Sequence, residues 1–245
     1  FDPATGSGGF LVEAARRIRE EAKYNDKDYR ELLEIQNAIT NGLFGSEISA
    51  FPYYITEINL LLQLTPNIKK LLDAHKHLYK PPPYCLSVIR QDSMKLQLEQ
   101  RVLAMPETLK NVRYEHDEKY NQIALEGAKR EKFNFIRDNS NFDYVCANPP
   151  YIAEKGHKEL FRSTIQHYSY WQKYFQGKMD YFYWFVILGV SKLKEKGKLG
   201  FITPSYWPTA DGAIKLRAYI LGNTVIKEIV DFGETRIFES APGQH

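Results

Sequence analysis

The order of apolar runs predicts an α/β protein built on a doubly wound, mostly parallel sheet. Three observations carry that expectation. Short apolar runs alternate with helix-length amphipathic ones along most of the 245 residues. The residue types suited to ligands (glycines, carboxylates and an Asn-Pro-Pro-Tyr sequence) stand directly after the short runs, where strands end. In open α/β sheets that carboxyl edge, at the switch point of the strand order, is where ligands bind.

Composition narrows the class. Hydrophobic residues make up 43% and charged residues 26%, which fits a folded chain rather than a disordered one. No apolar run reaches the roughly 18 residues of a membrane span, so no membrane partner is expected. The opening residues are a motif rather than a leader. The two cysteines, Cys85 and Cys146, are far apart. That argues against a disulfide framework or a zinc site, fits a reducing cytoplasm, and leaves no metal expected. The net charge of +3 is too small to demand a polyanion. The 17 tyrosines suit base stacking and an ordinary aromatic core equally well.

The first element is a strand end, Phe1-Asp2-Pro3, with no strand before it. Both ends of the chain are expected to be cut from something longer, with peripheral elements missing. "DPATGSGGF" then leads into the amphipathic helix "FLVEAARRIREEAKY". Glycines there allow a tight turn and close approach to a ligand. The helix start offers unpaired N–H groups. No Gly-Lys-Ser/Thr follows, so this is not a nucleotide-hydrolysing P-loop. A helix over 29–39 precedes a strand at Leu43-Phe44-Gly45 that ends at Glu47. An acid after the second strand is placed for ribose hydroxyls. Its distance from the glycine loop exceeds the roughly 20 residues usual in dinucleotide sites. Residues 50–64 predict a helix, and the stretch behind it stops at prolines. His75 and His77 have no accompanying ligand cluster and read as surface residues.

A third strand, Cys85–Ile89, is followed by Asp92. Asp at that place either accepts from an amino group in the cleft or simply forms a turn. Residues 95–140 are highly charged and predict a helical insertion or crossover on the surface. A strand over Phe142 to Ala147 then runs into Asn148-Pro149-Pro150-Tyr151. The Asn amide is both donor and acceptor. The prolines fix the backbone and remove two N–H donors. Tyr adds a flat face. Together they suit a planar base with an exocyclic amino group. Residues 153–178 read as a mobile lid or substrate-facing loop. An apolar helix follows, with Lys192, Lys194, Lys196 and Lys198 assigned to its end as dipole complements. The strand Leu199–Thr203, a loop and helix, and a last strand, "VIKEIVDFG", complete the order.

"DPATGSGGF" followed later by "NPPY" resembles the gamma class of N6-adenine DNA methyltransferases. Catalytic domains of type I modification subunits and of fused type IIG (Eco57I-like) restriction–modification enzymes are similar. The resemblance spans Asp2 to about Ala241. It implies a Rossmann-like, S-adenosyl-L-methionine-dependent methyltransferase domain over 1–245, truncated at both ends and lacking a target-recognition domain. It implies methyl transfer to the N6 amino group of a flipped-out adenine in double-stranded DNA. It also implies specificity and restriction subunits or domains as partners of the full-length protein.

By the same resemblance, Asp2, Ala4, Gly6 and Gly8 would line the methionine part of the cofactor. Glu47 would take its ribose hydroxyls, Ile48 would pack on its adenine, and Asp92 would accept from that adenine's amino group. Asn148 and the Pro149 carbonyl would hold the target amine. Tyr151 would stack on the base, and Phe238 would wall its other side, with Phe232 the second candidate. Protein-glutamine and RNA amino-group methyltransferases share NPPY-type loops, so either activity, or a non-catalytic module of a restriction complex, is the alternative.

Overall fold

The computed structural model describes residues 1–22, 28–80, 85–97, 118–233 and 235, with side chains from residue 125 onward in the helix that begins at Glu118. The chain divides into two compact units. The described residues of 1–96 and 118–139 form the first, and Gln97 with those from 140 onward form the second.

In the first unit, α1 (Gly9–Glu21) buries Leu11 and Ala15, one turn apart. Its outer face carries Glu13 paired with Arg16 and Arg17. The helix α2 (Tyr29–Gly42) is capped by Asp28, whose Oδ1 accepts from the Arg30 N–H at 2.8 Å. The strand β1 (Phe44–Glu47) leads to α3 (Ala50–His75) and then to β2 (Ser87–Arg90). β1 and β2 pair in parallel, with Phe44 opposite Ser87 and Glu47 opposite Arg90. Leu11, Ile35, Ile39, Tyr53, Leu60, Leu64 and Val88 close the core around them.

Two expectations change in this unit. The helix at residue 50 does not stop near 64 but runs on to His75 through Pro66. The bond lost to the proline ring falls beside Leu62, which is 60% exposed, so water can serve its carbonyl. Asn67, the next residue, ties the helix to α2 by donating to the Leu32 carbonyl at 2.8 Å. The charged stretch also does more than lie in solvent. Its helix α4 (Glu118–Asp138) buries Ile136 fully and stacks Phe135 on Phe44 at 4.9 Å. Lys129 of α4 pairs with Glu57 and donates to the carbonyls of Leu86 and Val88.

The second unit is built on β3 (Phe142–Ala147). α5 (Lys158–His167) follows, then a 3-10 turn over Ser169–Tyr174. Residues 153–178 are therefore not a loop lid. Phe161 and Trp171 are fully buried there and root the segment in the core, while most of its other residues stay exposed. Next come α6 (Phe182–Lys192), β4 (Leu193–Phe201) and α7 (Ile214–Asn223). α6 is apolar nearly all round and sits inside the unit. Only Lys192 of the four expected lysines ends that helix. Lys194, Lys196 and Lys198 belong to β4, where Lys194 pairs with Asp143.

β4 lies parallel to β3, from Tyr144 opposite Lys198 to Ala147 opposite Phe201. Five steps along β4 from Leu193 match two along β3 from Phe142, so β4 bulges between them. A Cβ on Gly197 would stand 3.0 Å from the Phe142 carbonyl, which explains glycine in that bulge. The expected strand "VIKEIVDFG" is not one. Residues 224–232 lie outside any helix or strand, with Val225 77%, Ile229 65% and Val230 59% exposed. An extended apolar run becomes a strand only beside a partner, and it pairs with none of the described strands. Among the described residues the architecture is thus mixed α/β with two parallel strand pairs. None of the described helices is long and apolar enough to cross a membrane.

Candidate functional site

Two groups of candidate residues are built locally, one in each unit. In the first, the glycine loop is stitched along β1. Asp2 forms a parallel bridge with Gly45. The Asp2 N–H donates to the Phe44 carbonyl at 2.9 Å, and the Ser46 N–H donates back to the Asp2 carbonyl at 3.0 Å. The Thr5 N–H donates to the Ser46 carbonyl at 3.1 Å. Asp2 is consequently 1% exposed. Its Oδ1 accepts from the Ala4 N–H at 2.9 Å, while its Oδ2 is buried with no partner among the described residues. Burial pushes the carboxyl up to about 7; the Ala4 bond opposes that shift and the nearby Glu47 adds to it.

Glu47, at the end of β1, clamps this loop. Its Oε2 accepts from the Gly6 N–H at 2.9 Å, and its Oε1 from the Ser49 N–H at 2.8 Å. Each oxygen keeps a further lone pair for a hydroxyl donor. Three loop carbonyls are also occupied. Ser93 donates to Pro3 at 2.6 Å, Thr56 to Gly6 at 2.8 Å, and Asn59 to Ser7 at 3.0 Å. That leaves the first N–H groups of α1 as donors for an anion. Gly8 caps α1 at φ 86°, and a Cβ there would meet Thr56 Cγ2 at 2.9 Å.

Asp2, Ala4, Gly6, Gly8 and Glu47 are therefore brought together. Asp92 is joined to them through its neighbour Ser93 and Pro3. Its Oδ1 accepts from the Met94 N–H at 2.9 Å, the turn-forming role, and its Oδ2 takes no bond among the described residues. Ile48, the residue after Glu47, is 66% exposed.

In the second unit, Asn148-Pro149-Pro150-Tyr151 follows β3 directly. Asn148 is exposed and Pro149 buried. The Pro149 carbonyl accepts nothing among the described residues. The Tyr151 hydroxyl lies 2.5 Å from Asn148 Oδ1 and 2.9 Å from the Ile202 carbonyl. Its ring meets Phe182 edge-on at 5.9 Å. Burial, and secondarily Asp180, push this phenol up to about 12, so it keeps its proton at neutral pH.

The chain beyond the loop is held by a residue that the sequence reading missed. Asp180 is 3% exposed. Its Oδ1 accepts from the Ile152 N–H at 3.0 Å and the Phe182 N–H at 3.3 Å, and its Oδ2 from the Tyr206 hydroxyl at 2.7 Å. An Asp two residues before an apolar helix was a legible capping signal. Nothing in sequence marked Thr56, in the middle of a helix, or the Ile202 carbonyl. Phe232 is 47% exposed outside any element, and Phe238 lies outside the described residues.

The N-6 DNA Methylase family model matches residues 1–80. The type II methyltransferase M.HincII of Haemophilus influenzae is 34% identical over 101 residues, which are 41% of this chain and 20% of that protein. The type II restriction enzyme and methyltransferase RM.Eco57I of Escherichia coli is 29% identical over 106 residues, 43% of this chain and 11% of that one. The match thus spans a fifth or less of each of these relatives. A nuclease-deletion mutant of the Type ISP restriction-modification enzyme LlaGI, in complex with a DNA substrate mimic, superposes with a TM-score of 0.54 at 18% identity. That covers 89% of this chain and 16% of the other. The ATP-dependent Type ISP enzyme LlaBIII, bound to DNA, gives 0.51 at 19% identity, covering 87% and 13%. At such identities the likeness is one of fold. A second family model matches residues 41–238, most of the chain, and by it this chain belongs to the Eco57I restriction-modification methylase family.

Proposed function

We propose that this chain is the catalytic domain of an adenine-specific DNA methyltransferase. It would transfer a methyl group from S-adenosyl-L-methionine to the N6 amino group of a flipped-out adenine, within a restriction-modification system. The observation that carries the reading is the Asn-Pro-Pro-Tyr loop at the carboxyl end of β3, where the Pro149 carbonyl has no donor among the described residues. The doubly wound sheet belongs to the same proposal, supported by the parallel pairs with their polar residues at strand ends.

The residues of the first unit fit the cofactor. The unpartnered Asp2 Oδ2 suits its ammonium, and the first N–H groups of α1 suit its carboxylate. The remaining lone pairs of Glu47 suit ribose hydroxyls, Ile48 an adenine face, and Asp92 Oδ2 an amino group. Bound there, the cofactor supplies an electrophilic methyl on a sulfonium.

The residues of the second unit prepare the acceptor. Adenine N6 is a poor nucleophile because its lone pair is delocalised into the ring. Asn148 Oδ1 and the Pro149 carbonyl would accept from its two protons, favour a pyramidal nitrogen and stabilise the charge that develops on it. Extruding the base from a duplex costs a few kcal/mol. Stacking on Tyr151 returns about 1–3 kcal/mol, with Phe238 the proposed second wall. Double-stranded DNA, specificity and restriction subunits or domains, and a cytoplasmic setting are proposed for the full-length protein.

The test offers labelled cofactor to the full-length protein with DNA, RNA or a glutamine-bearing release-factor protein. Label on adenine in DNA is expected. Label only on RNA or protein assigns the loop to another amine. Asn148→Ala should keep cofactor binding and lose methyl transfer by about 10²–10³-fold. Full activity in that variant sinks the assignment.

A further inference from the structure

The Tyr151 hydroxyl carries one proton yet sits within bonding distance of two oxygens, Asn148 Oδ1 at 2.5 Å and the Ile202 carbonyl at 2.9 Å. The Ile202 carbonyl can only accept. If the phenol gives its proton to Ile202, the group facing its oxygen from Asn148 must be a donor. The two ends of an Asn amide are distinguished only by such networks. The arrangement that pairs all three groups with one another, without water, has Asn148 Nδ2 donating to Tyr151 and the phenol donating to Ile202, with the contact to Asn148 easing from the 2.5 Å of an O–H···O pair to an N–H···O distance of about 2.8 Å. Asn148 Oδ1 then turns to the opposite side of its amide, away from the phenol.

We propose that Tyr151 is a positioning residue as well as a stacking one: its hydroxyl, anchored on the Ile202 carbonyl, holds the Asn148 amide with Oδ1 presented to the substrate amine. The inference rests on the adenine-methylation reading above. The anchor is firm on both sides. Ile202 continues the β4 ladder, its N–H donating to the Ala147 carbonyl at 3.1 Å. Tyr151 is braced by the Phe182 ring, and the next residue, Ile152, by the buried Asp180. An amide in the opposite orientation would present an NH₂ to the substrate NH₂, a contact of two donors. Phenylalanine at 151 would keep the stacking face and release the amide to both orientations.

The experiment uses the full-length protein and four forms: wild type, Tyr151→Phe, Asn148→Asp and the double variant. Single-turnover transfer to adenine, cofactor and DNA dissociation constants, and melting temperature are measured for each. Tyr151→Phe should slow transfer by about tenfold, the size of one ordinary hydrogen bond, with both dissociation constants unchanged and the melting temperature lowered by no more than about 2–4 °C for the Ile202 carbonyl it orphans. A carboxylate has two equivalent acceptor oxygens and needs no orienting. In the Asn148→Asp background the same change should therefore cost less than about twofold.

Equal fold losses in both backgrounds mean a merely structural hydroxyl and overturn the proposal. So does an unchanged rate in Tyr151→Phe, or a loss that appears as weakened binding. If Asn148→Asp is silent, the split between rate and affinity in Tyr151→Phe decides alone. A wild-type protein that labels no adenine overturns the functional reading along with this one. A competent wild type with an unimpaired Tyr151→Phe overturns this proposal only.

Discussion

Asp180 and Gly8 show how a few atoms fix each candidate group. Asp180 answers two backbone N–H groups and one phenol from a single buried carboxylate. Asp180→Ala should strand all three donors and destabilise the protein by about 3 kcal/mol, read by denaturant unfolding. The same variant should lose methyl transfer, because Ile152 follows Tyr151 directly. At Gly8, an added methyl meets Thr56 at 2.9 Å in a backbone conformation with φ 86°. Gly8→Ala should cost about 1–3 kcal/mol and weaken cofactor binding, measured by melting and calorimetry. The motif residues were legible in sequence because each combines an unusual residue type with a strand end. Their supports were not. Thr56 and Ser93 act through single hydroxyls on distant carbonyls, which leaves no local pattern.

Among elements, the helices with one apolar stripe and the strands β1, β2 and β3 could be placed from periodicity, usually within two residues. The failures share a cause: tertiary packing overrode local pattern. The polar, aromatic segment after Tyr151 looked like surface until Phe161, Trp171, Tyr181 and Trp184 were found against one another, with Tyr181 and Trp184 centroids 5.2 Å apart. The lysines after α6 looked like a helix end, because a bulge in β4 has no signature except Gly197. α4 looked solvated because its many charges hide one anchor. Lys129 reaches Glu57 and two carbonyls of the β2 segment while it is only 20% exposed. Lys129→Met should keep the packing of the stem but orphan those acceptors, and lower stability by about 1–3 kcal/mol in denaturant melts.

On the scale of the whole molecule, Asp2 couples stability to pH. Its native carboxyl titrates near 7, against 3.8 for the free group. The native state therefore keeps a proton that the unfolded chain releases near pH 4. The contribution to stability is full below about pH 4, falls as pH rises, and is lost above about pH 7. Its total is on the order of 4 kcal/mol. The difference between wild-type and Asp2→Asn unfolding free energies, followed from pH 3 to 8, should trace that fall. A cofactor ammonium beside Asp2 would favour the ionised form, so cofactor affinity should rise over the upper part of the same window. The mixed α/β class with parallel strand pairs was legible because strand–helix alternation is a property of the entire sequence. The last strand was misjudged because pairing is not. Residues 225–232 keep the apolar spacing of a strand while facing water. Their colloidal behaviour follows: Val225, Ile229 and Val230 form a sticky ribbon, restrained only by Lys227, Glu228 and Asp231 interleaved as gatekeepers. Light scattering of the 245-residue chain should grow with concentration, and Ile229→Lys should suppress that growth without lowering the melting temperature.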